Sequence, residues 1–307
     1  MSLRKIFAQT MVEVARHDEN LVVIVGDISH GIFADFRSEH PNRYFNIGIC
    51  EPAMVNIAAG LSASGLNPVV HTIAPFLIER SYEQIKLDFA YQELGVNLIS
   101  VGAAYDYSKL GCSHHCYSDY SLIAKFKDSR IFFPGSEIEF KTLFESQYNN
   151  GKINYFRLTE NPHDEILSTD QIKPGEAIKI RDGNDITILT TGSLLTKVKQ
   201  AAAELANEGI DVEILYYHTL QPFDIDTLKK SLIKTHRIIT FEDLSSQDGL
   251  FNKVNSSIAG AFSYKSCQIA IPDFVRNYGS HEELSSAIGL TSENIRLQAL
   301  KLMNHPE

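Results

Sequence analysis

Leu21-Val22-Val23-Ile24-Val25-Gly26-Asp27 is an unbroken apolar run closed by a turn signal. Five β-branched or aliphatic residues without alternation fit a strand covered on both faces, the environment of a central parallel strand. On its N-terminal side Leu3, Ile6, Phe7, Met11 and Val14 recur at helical spacing, which predicts an amphipathic helix over 3–17. On its C-terminal side the alternation continues. Strands are expected at 44–49, 68–73, 96–101, 130–133 and 155–158, and helices at 52–64, 80–94 and 137–148. Such alternation predicts a two-domain α/β protein with mostly parallel sheets and helices on both faces.

A second α/β unit begins near residue 184. Strands are expected at 185–190, 212–216, 237–241 and 267–271, with helices at 193–208, 224–233, 249–261 and in two C-terminal stretches. Gly209 is placed to end the helix 193–208. Pro162, Pro174, Gly175 and Gly183 lie amid polar residues before this unit. The expected division is a first domain over 1–165, a linker over 166–183 and a second domain over 184–307.

The chain has 307 residues, 44% hydrophobic and 21% charged, which excludes a disordered chain and a coiled coil. Its formal charge of −10 disfavours a nucleic-acid partner. No apolar run approaches the ~20 residues that cross a bilayer, and residues 1–5 lead into a helical pattern rather than a signal sequence. Four cysteines, at 50, 112, 116 and 267, are too sparse for a disulfide scaffold. A cytoplasmic protein is expected.

Four stretches could carry chemistry. In Ile47-Gly48-Ile49-Cys50-Glu51-Pro52-Ala53-Met54 a strand gives way to a helix, with Pro52 near the first helical position. Glu51 then sits at the carboxyl edge of a parallel sheet, where ligands of open α/β folds gather; by itself it would be a carboxylate complementing a helix dipole. Ala58-Ala59-Gly60 suits that helix to close packing. Phe76-Leu77-Ile78-Glu79-Arg80-Ser81-Tyr82-Glu83-Gln84-Ile85-Lys86 places an aromatic ahead of a helix, and core packing is the commoner fate of such rings. Gly111-Cys112-Ser113-His114-His115-Cys116 invites a zinc reading, but its ligand spacing is wrong and no second cluster accompanies it. Gly26-Asp27-Ile28-Ser29-His30-Gly31 lacks the glycine spacing and lysine of phosphate loops.

Taken in order, these stretches resemble the C-terminal section of transketolase. The Glu51 stretch is similar to the family's G-x-x-E-x-x-M-x-x-x-A-A-G, Phe76–Lys86 to its aromatic-R-x-aromatic-E-x-I-basic segment, and Gly111–His115 to its G-P-T-H-H loop. Asp185–Ser193 resembles the opening of the family's C-terminal domain. Arg237–Asp243 with Gly249 resembles its TxE…GG turn, Asp248 standing for the first glycine. The β subunits of 2-oxoacid dehydrogenases share the architecture, and Val25-Gly26-Asp27 with Gly31-Ile32-Phe33 is similar to them. A third reading is a non-catalytic regulatory subunit of the same fold.

The resemblance implies a transferase that uses thiamine diphosphate to move a two-carbon ketol unit to an aldehyde acceptor. Glu51 would hydrogen-bond the cofactor's aminopyrimidine and promote the tautomer that deprotonates the thiazolium. Burial is expected to outweigh the helix N-terminus at that carboxyl. Phe76 would stack on the pyrimidine; Ile73 stands where the family often has another aromatic, and Arg80 belongs to the same segment. His114 matches the histidine that touches donor hydroxyls, with His115 beside it. The family's G-D-G-x(many)-N diphosphate motif is absent, so the resemblance implies a partner chain that binds the diphosphate and Mg²⁺ or Ca²⁺, in an α₂β₂ assembly.

The same comparison bears on substrate. Arg4 matches one arginine of the family's sugar-phosphate cluster. The other falls at Glu160, the cluster's serine at Phe33 and its histidine at Gly102; Leu110 replaces an aspartate that reads the donor. A carboxylate in place of a guanidinium repels phosphate. The expected substrate is therefore a non-standard or unphosphorylated sugar.

Overall fold

A computed structural model describes residues 2–261 and 263–304 of the protein. The ends of the two expected domains, residue 1 and residues 305–307, lie outside them.

The apolar run Leu21–Val25 forms β1, with all five residues buried. It lies inside a sheet with β2 (Tyr44–Asn46), β3 (Asn67–Ile73), β4 (Val96–Val101), β5 (Arg130–Phe132) and β6 (Ile153–Leu158). The second sheet holds β7 (Ile178–Arg181), β8 (Ile186–Thr190), β9 (Val212–Tyr216), β11 (Arg237–Ser245) and β12 (Lys265–Ile271). A short strand between β9 and β11, β10 (Thr219–Gln221), leaves the second unit and pairs antiparallel with β5. The sheet orders are β10-β5-β6-β4-β3-β1-β2 and β12-β11-β8-β9-β7. Apart from β10 and the antiparallel β7–β9 pair, all strand pairs are parallel.

Local departures from the sequence pattern have physical causes. Strand β2 stops at Asn46, short of the expected residue 49. The Asn46 side chain accepts hydrogen bonds from the backbone N–H of Asp27 and of Gly48, and Gly48 turns the chain at φ +75°. Residues 80–94 form no continuous α-helix. Wide turns over Pro75–Glu79 and Ile85–Ala90 flank a short α-helical piece at Tyr82–Gln84. Such widened turns cluster at functional positions because they re-aim side chains. Strand β7 lies inside the stretch 166–183 that was expected as linker. Among the described residues no helix is long and apolar enough to cross a membrane.

The two units are tied together by buried polar contacts as well as by β10. Arg157 on β6 pairs with Asp243 on β11 and lies 3.6 Å from Asp119. Its guanidinium also stacks 3.7 Å from the Phe133 ring. Glu139 accepts a 2.6 Å hydrogen bond from the Tyr216 hydroxyl. In the second unit the Glu242 carboxylate accepts from the backbone N–H groups of Leu250 and Phe251, at the start of the helix Leu250–Ile258. Gly249 lets it approach, since a Cβ there would run into that carboxylate. The expected TxE…G pattern is thus one physical unit: a buried carboxylate seated on a helix N-terminus.

Candidate active site

Five neighbouring strands of the first sheet, in the order β6-β4-β3-β1-β2, deliver the candidate residues from their carboxyl ends. Glu51 follows β2 and opens the helix Glu51–Ala63. Ile73 ends β3, and Phe76 and Arg80 follow it. His114 lies on the loop after β4, and Glu160 just beyond β6. Parallel strands thereby bring residues over a hundred positions apart to one edge, the usual ligand edge of such sheets.

Glu51 is buried to 1% exposure. The Nη1 of Arg80 donates a 2.7 Å hydrogen bond to its Oε2. The same guanidinium lies 4.2 Å from the centre of the Phe76 ring. The Phe76 ring meets His114 edge to face at 5.2 Å, and the Tyr107 ring approaches His114 at 6.4 Å. Glu51, Arg80, Phe76, His114 and Tyr107 therefore form one continuous line of contacts. Glu51 fits a heterocycle that must be hydrogen-bonded away from water: it is a buried carboxylate with an aromatic ring and a counter-charge beside it.

The far end of the line is polar. Arg4 donates from Nε and Nη2 to the Ser29 hydroxyl at 3.2 and 2.8 Å, and its Nη1 lies 3.6 Å from Glu160. Ser29 donates in turn to the Nε2 of the buried His71 at 2.8 Å, while His71 Nδ1 donates to the Ile99 carbonyl at 2.8 Å. The carbonyl can only accept, which fixes the Nδ1–H tautomer and leaves Nε2 as acceptor. Burial holds the imidazole neutral by pushing its pKa down to about 4. The relay therefore presents the Ser29 oxygen to Arg4. Phe33, where the cluster's serine was expected, is instead fully buried against Phe7. The serine that Arg4 does reach, Ser29, lies on a loop where Asp27 and Ser29 both adopt positive φ, a conformation that strand and helix periodicity do not report.

Other expected residues are placed as follows. Leu110 is exposed on the His114 loop. His115 is buried, and burial followed by the charge of His114 lowers its pKa. Ile73 is half-buried, with Cγ2 3.5 Å from where a Cβ on Gly102 would lie. Of the close-packing Ala58-Ala59-Gly60, the alanines are buried and Gly60 is exposed. Residues missed in the sequence are Ser29, His71, Tyr107 and Asp106. Asp106 holds the Glu160 backbone N–H and the Asn161 side chain, and burial raises its pKa to about 7. Nothing in their local sequence separates these from loop and core residues.

Comparisons with known proteins identify both units of the fold. The family models "Transketolase, pyrimidine binding domain" and "Transketolase, C-terminal domain" match residues 1–162 and 175–295. A subunit of the apulose-4-phosphate transketolase of Phocaeicola vulgatus is 29% identical, over 99% of this chain and 98% of its own. The 6-deoxy-6-sulfo-D-fructose transketolase subunit SqwH of a Clostridium species is 28% identical, over 95% and 92%. A solved split-gene transketolase, described as an inactive β4 tetramer, superimposes with a TM-score of 0.89 at 26% identity, covering 99% of this chain and 98% of that one. With both domain models matched in order and relatives aligned nearly end to end, the chain belongs to the transketolase family and corresponds to its C-terminal, pyrimidine-binding section.

Proposed function

We propose that this chain is the C-terminal subunit of a two-chain, thiamine-diphosphate-dependent transketolase that transfers a two-carbon ketol unit to an aldehyde acceptor. Glu51 carries the reading: a carboxylate at 1% exposure on the ligand edge of the sheet, in contact with Arg80 and through it with Phe76. Glu51 would hold the aminopyrimidine by a hydrogen bond and Phe76 would cover its face. When bound, the cofactor supplies a thiazolium carbon that can be deprotonated to a nucleophile. His114, against Phe76, would donate to substrate hydroxyls, with His115 beside it as the second substrate-binding histidine. The chain carries no G-D-G motif, which supports a partner that binds the diphosphate and its Mg²⁺ or Ca²⁺, in an α₂β₂ complex. The related β4 tetramer is described as inactive, which also supports a need for a second chain.

The substrate reading rests on Arg4. In this chain its guanidinium is offset by Glu160 at 3.6 Å and engaged by Ser29. A charge so neutralised binds a phosphate poorly. The relatives named above act, by their names, on apulose 4-phosphate and a sulfo-sugar, which supports a sugar outside the common pentose and hexose phosphates. The test is co-purification with the partner chain, release and assay of the cofactor, and a kinetic screen of aldose acceptors. Efficient turnover of xylulose 5-phosphate with ribose 5-phosphate overturns the substrate assignment. Absence of thiamine diphosphate from the two-chain complex overturns the function.

A further inference from the structure

The line of contacts that begins at Glu51 does not stop at His114. It continues to Tyr107, whose ring meets His114 at 6.4 Å and whose hydroxyl is within reach of the charges of Arg4 and Glu160. The Tyr107 ring lies over Gly102, whose φ is +81°, and a Cβ on Gly102 would meet the ring at 2.6 Å. The ring therefore fills the space that a side chain at position 102 would need. The Tyr107 hydroxyl is buried and has no hydrogen-bond partner among the described residues. Arg4 and Glu160 are among the charged groups that act on it.

We infer that Tyr107 is a specificity-determining residue that closes the far end of the substrate channel. This inference rests on the proposed function and assigns its substrate class: short aldehydes, or aldehydes whose far end is uncharged. Three observations converge on it. The ring meets the histidine next to the cofactor's expected place, and its hydroxyl lies within the field of Arg4. The bare backbone at Gly102 is what admits the ring. The cation that would reward an anionic tail, Arg4, is already paired with a carboxylate. An extended phosphorylated acceptor meets a steric wall first and a spent charge second. A short acceptor reaches His114 without touching either.

The experiment uses the two-chain holoenzyme with hydroxypyruvate as donor. The acceptors are glycolaldehyde, which has two carbons, and ribose 5-phosphate. The readout is the ratio of kcat/KM for ribose 5-phosphate to that for glycolaldehyde. Replacing Tyr107 by alanine is expected to raise this ratio at least tenfold, a relative gain that misfolding does not mimic. Tyr107→Phe keeps the ring and is expected to leave the ratio within about twofold of wild type. Turnover of glycolaldehyde with an unchanged or lowered ratio in Tyr107→Ala overturns this inference and leaves the proposed function standing. Absence of glycolaldehyde turnover in wild type and variants overturns the proposed function and this inference with it.

Discussion

Arg80 reaches Glu51 and Phe76 with a single guanidinium, donating to the carboxylate at 2.7 Å and lying 4.2 Å from the ring centre. The arginine thereby fixes the direction of a buried acid and the plane of the aromatic beside it. Replacing Glu51 by glutamine keeps the volume and much of the hydrogen bonding but removes the acid–base group. Turnover of the two-chain enzyme is expected to fall by about 10²–10⁴, the usual worth of a positioned acid or base. Size-exclusion chromatography should show an unchanged assembly.

Arg80→Ala leaves the Glu51 carboxylate buried without its counter-charge. Breaking a fully buried pair costs about 3–5 kcal/mol. The Arg80 side chain is 44% exposed, so solvent screening reduces the expected loss to about 1–2 kcal/mol. Urea unfolding of wild type and variant measures it. Arg80→Lys is expected to recover only part of the loss, since an ammonium lacks the flat face that covers Phe76.

Glu160→Gln removes the charge opposing Arg4 while keeping its size. One unit charge at such a distance near a surface is worth about 1–4 kcal/mol. In a Tyr107→Ala background, where the ring no longer blocks the way, the kcat/KM for phosphorylated aldoses is therefore expected to rise about tenfold, with little change for unphosphorylated ones. An unchanged phosphate preference would show that Arg4 does not face the substrate.

The pH dependence of stability contains opposing contributions. His71 has its pKa pushed from 6.5 down to about 4 by burial. Between those values the unfolded chain binds the extra proton, so His71 makes the fold less stable as pH falls from 6.5 to 4, by about 3 kcal/mol in all. Asp106 and Glu242, both raised to about 7 by burial, act with the opposite sign: the folded state keeps their protons, and stability rises as pH falls from 7 towards 4. The difference between wild type and His71→Asn isolates the first contribution. The variant should lose the acid-side decline, read by denaturant unfolding at pH 7, 5.5 and 4.5.

Gly249→Ala drives a methyl group into the Glu242 carboxylate. The seat of the helix Leu250–Ile258 must then shift, at an expected cost of about 1–3 kcal/mol. Differential scanning calorimetry should show one lowered transition. A variant as stable as wild type would mean that Glu242 does not hold the helix.

What the sequence made legible follows from which forces set each feature. The run 21–25 is buried on both faces, and its composition says so. The place of Glu51 at a helix start was legible because Pro52 follows it, while its role rests on the resemblance of its stretch to the family motif. The widened turns around Phe76 were hidden, since 80–94 has the apolar spacing of an ordinary helix. Strand β10 was hidden because a three-residue strand carries no periodicity, and its partner β5 lies 87 positions earlier. Ser29, His71 and Tyr107 were hidden for a third reason. Ser29 and His71 act through neighbours distant in sequence, Tyr107 through a loop that folds back on itself, and none has a local pattern that separates it from turn or core.

The pairing of Thr219–Gln221 with the first sheet also governs how this protein can be dissected. A fragment ending between residues 162 and 175, where the two matched family models part, would leave the rim of β5 with unpaired amide groups and an apolar flank. Open rims of that kind recruit other chains. The first half, expressed by itself, should therefore precipitate or swap strands with its copies. A fusion that carries residues 219–221 back to it by a short tether should keep it in solution.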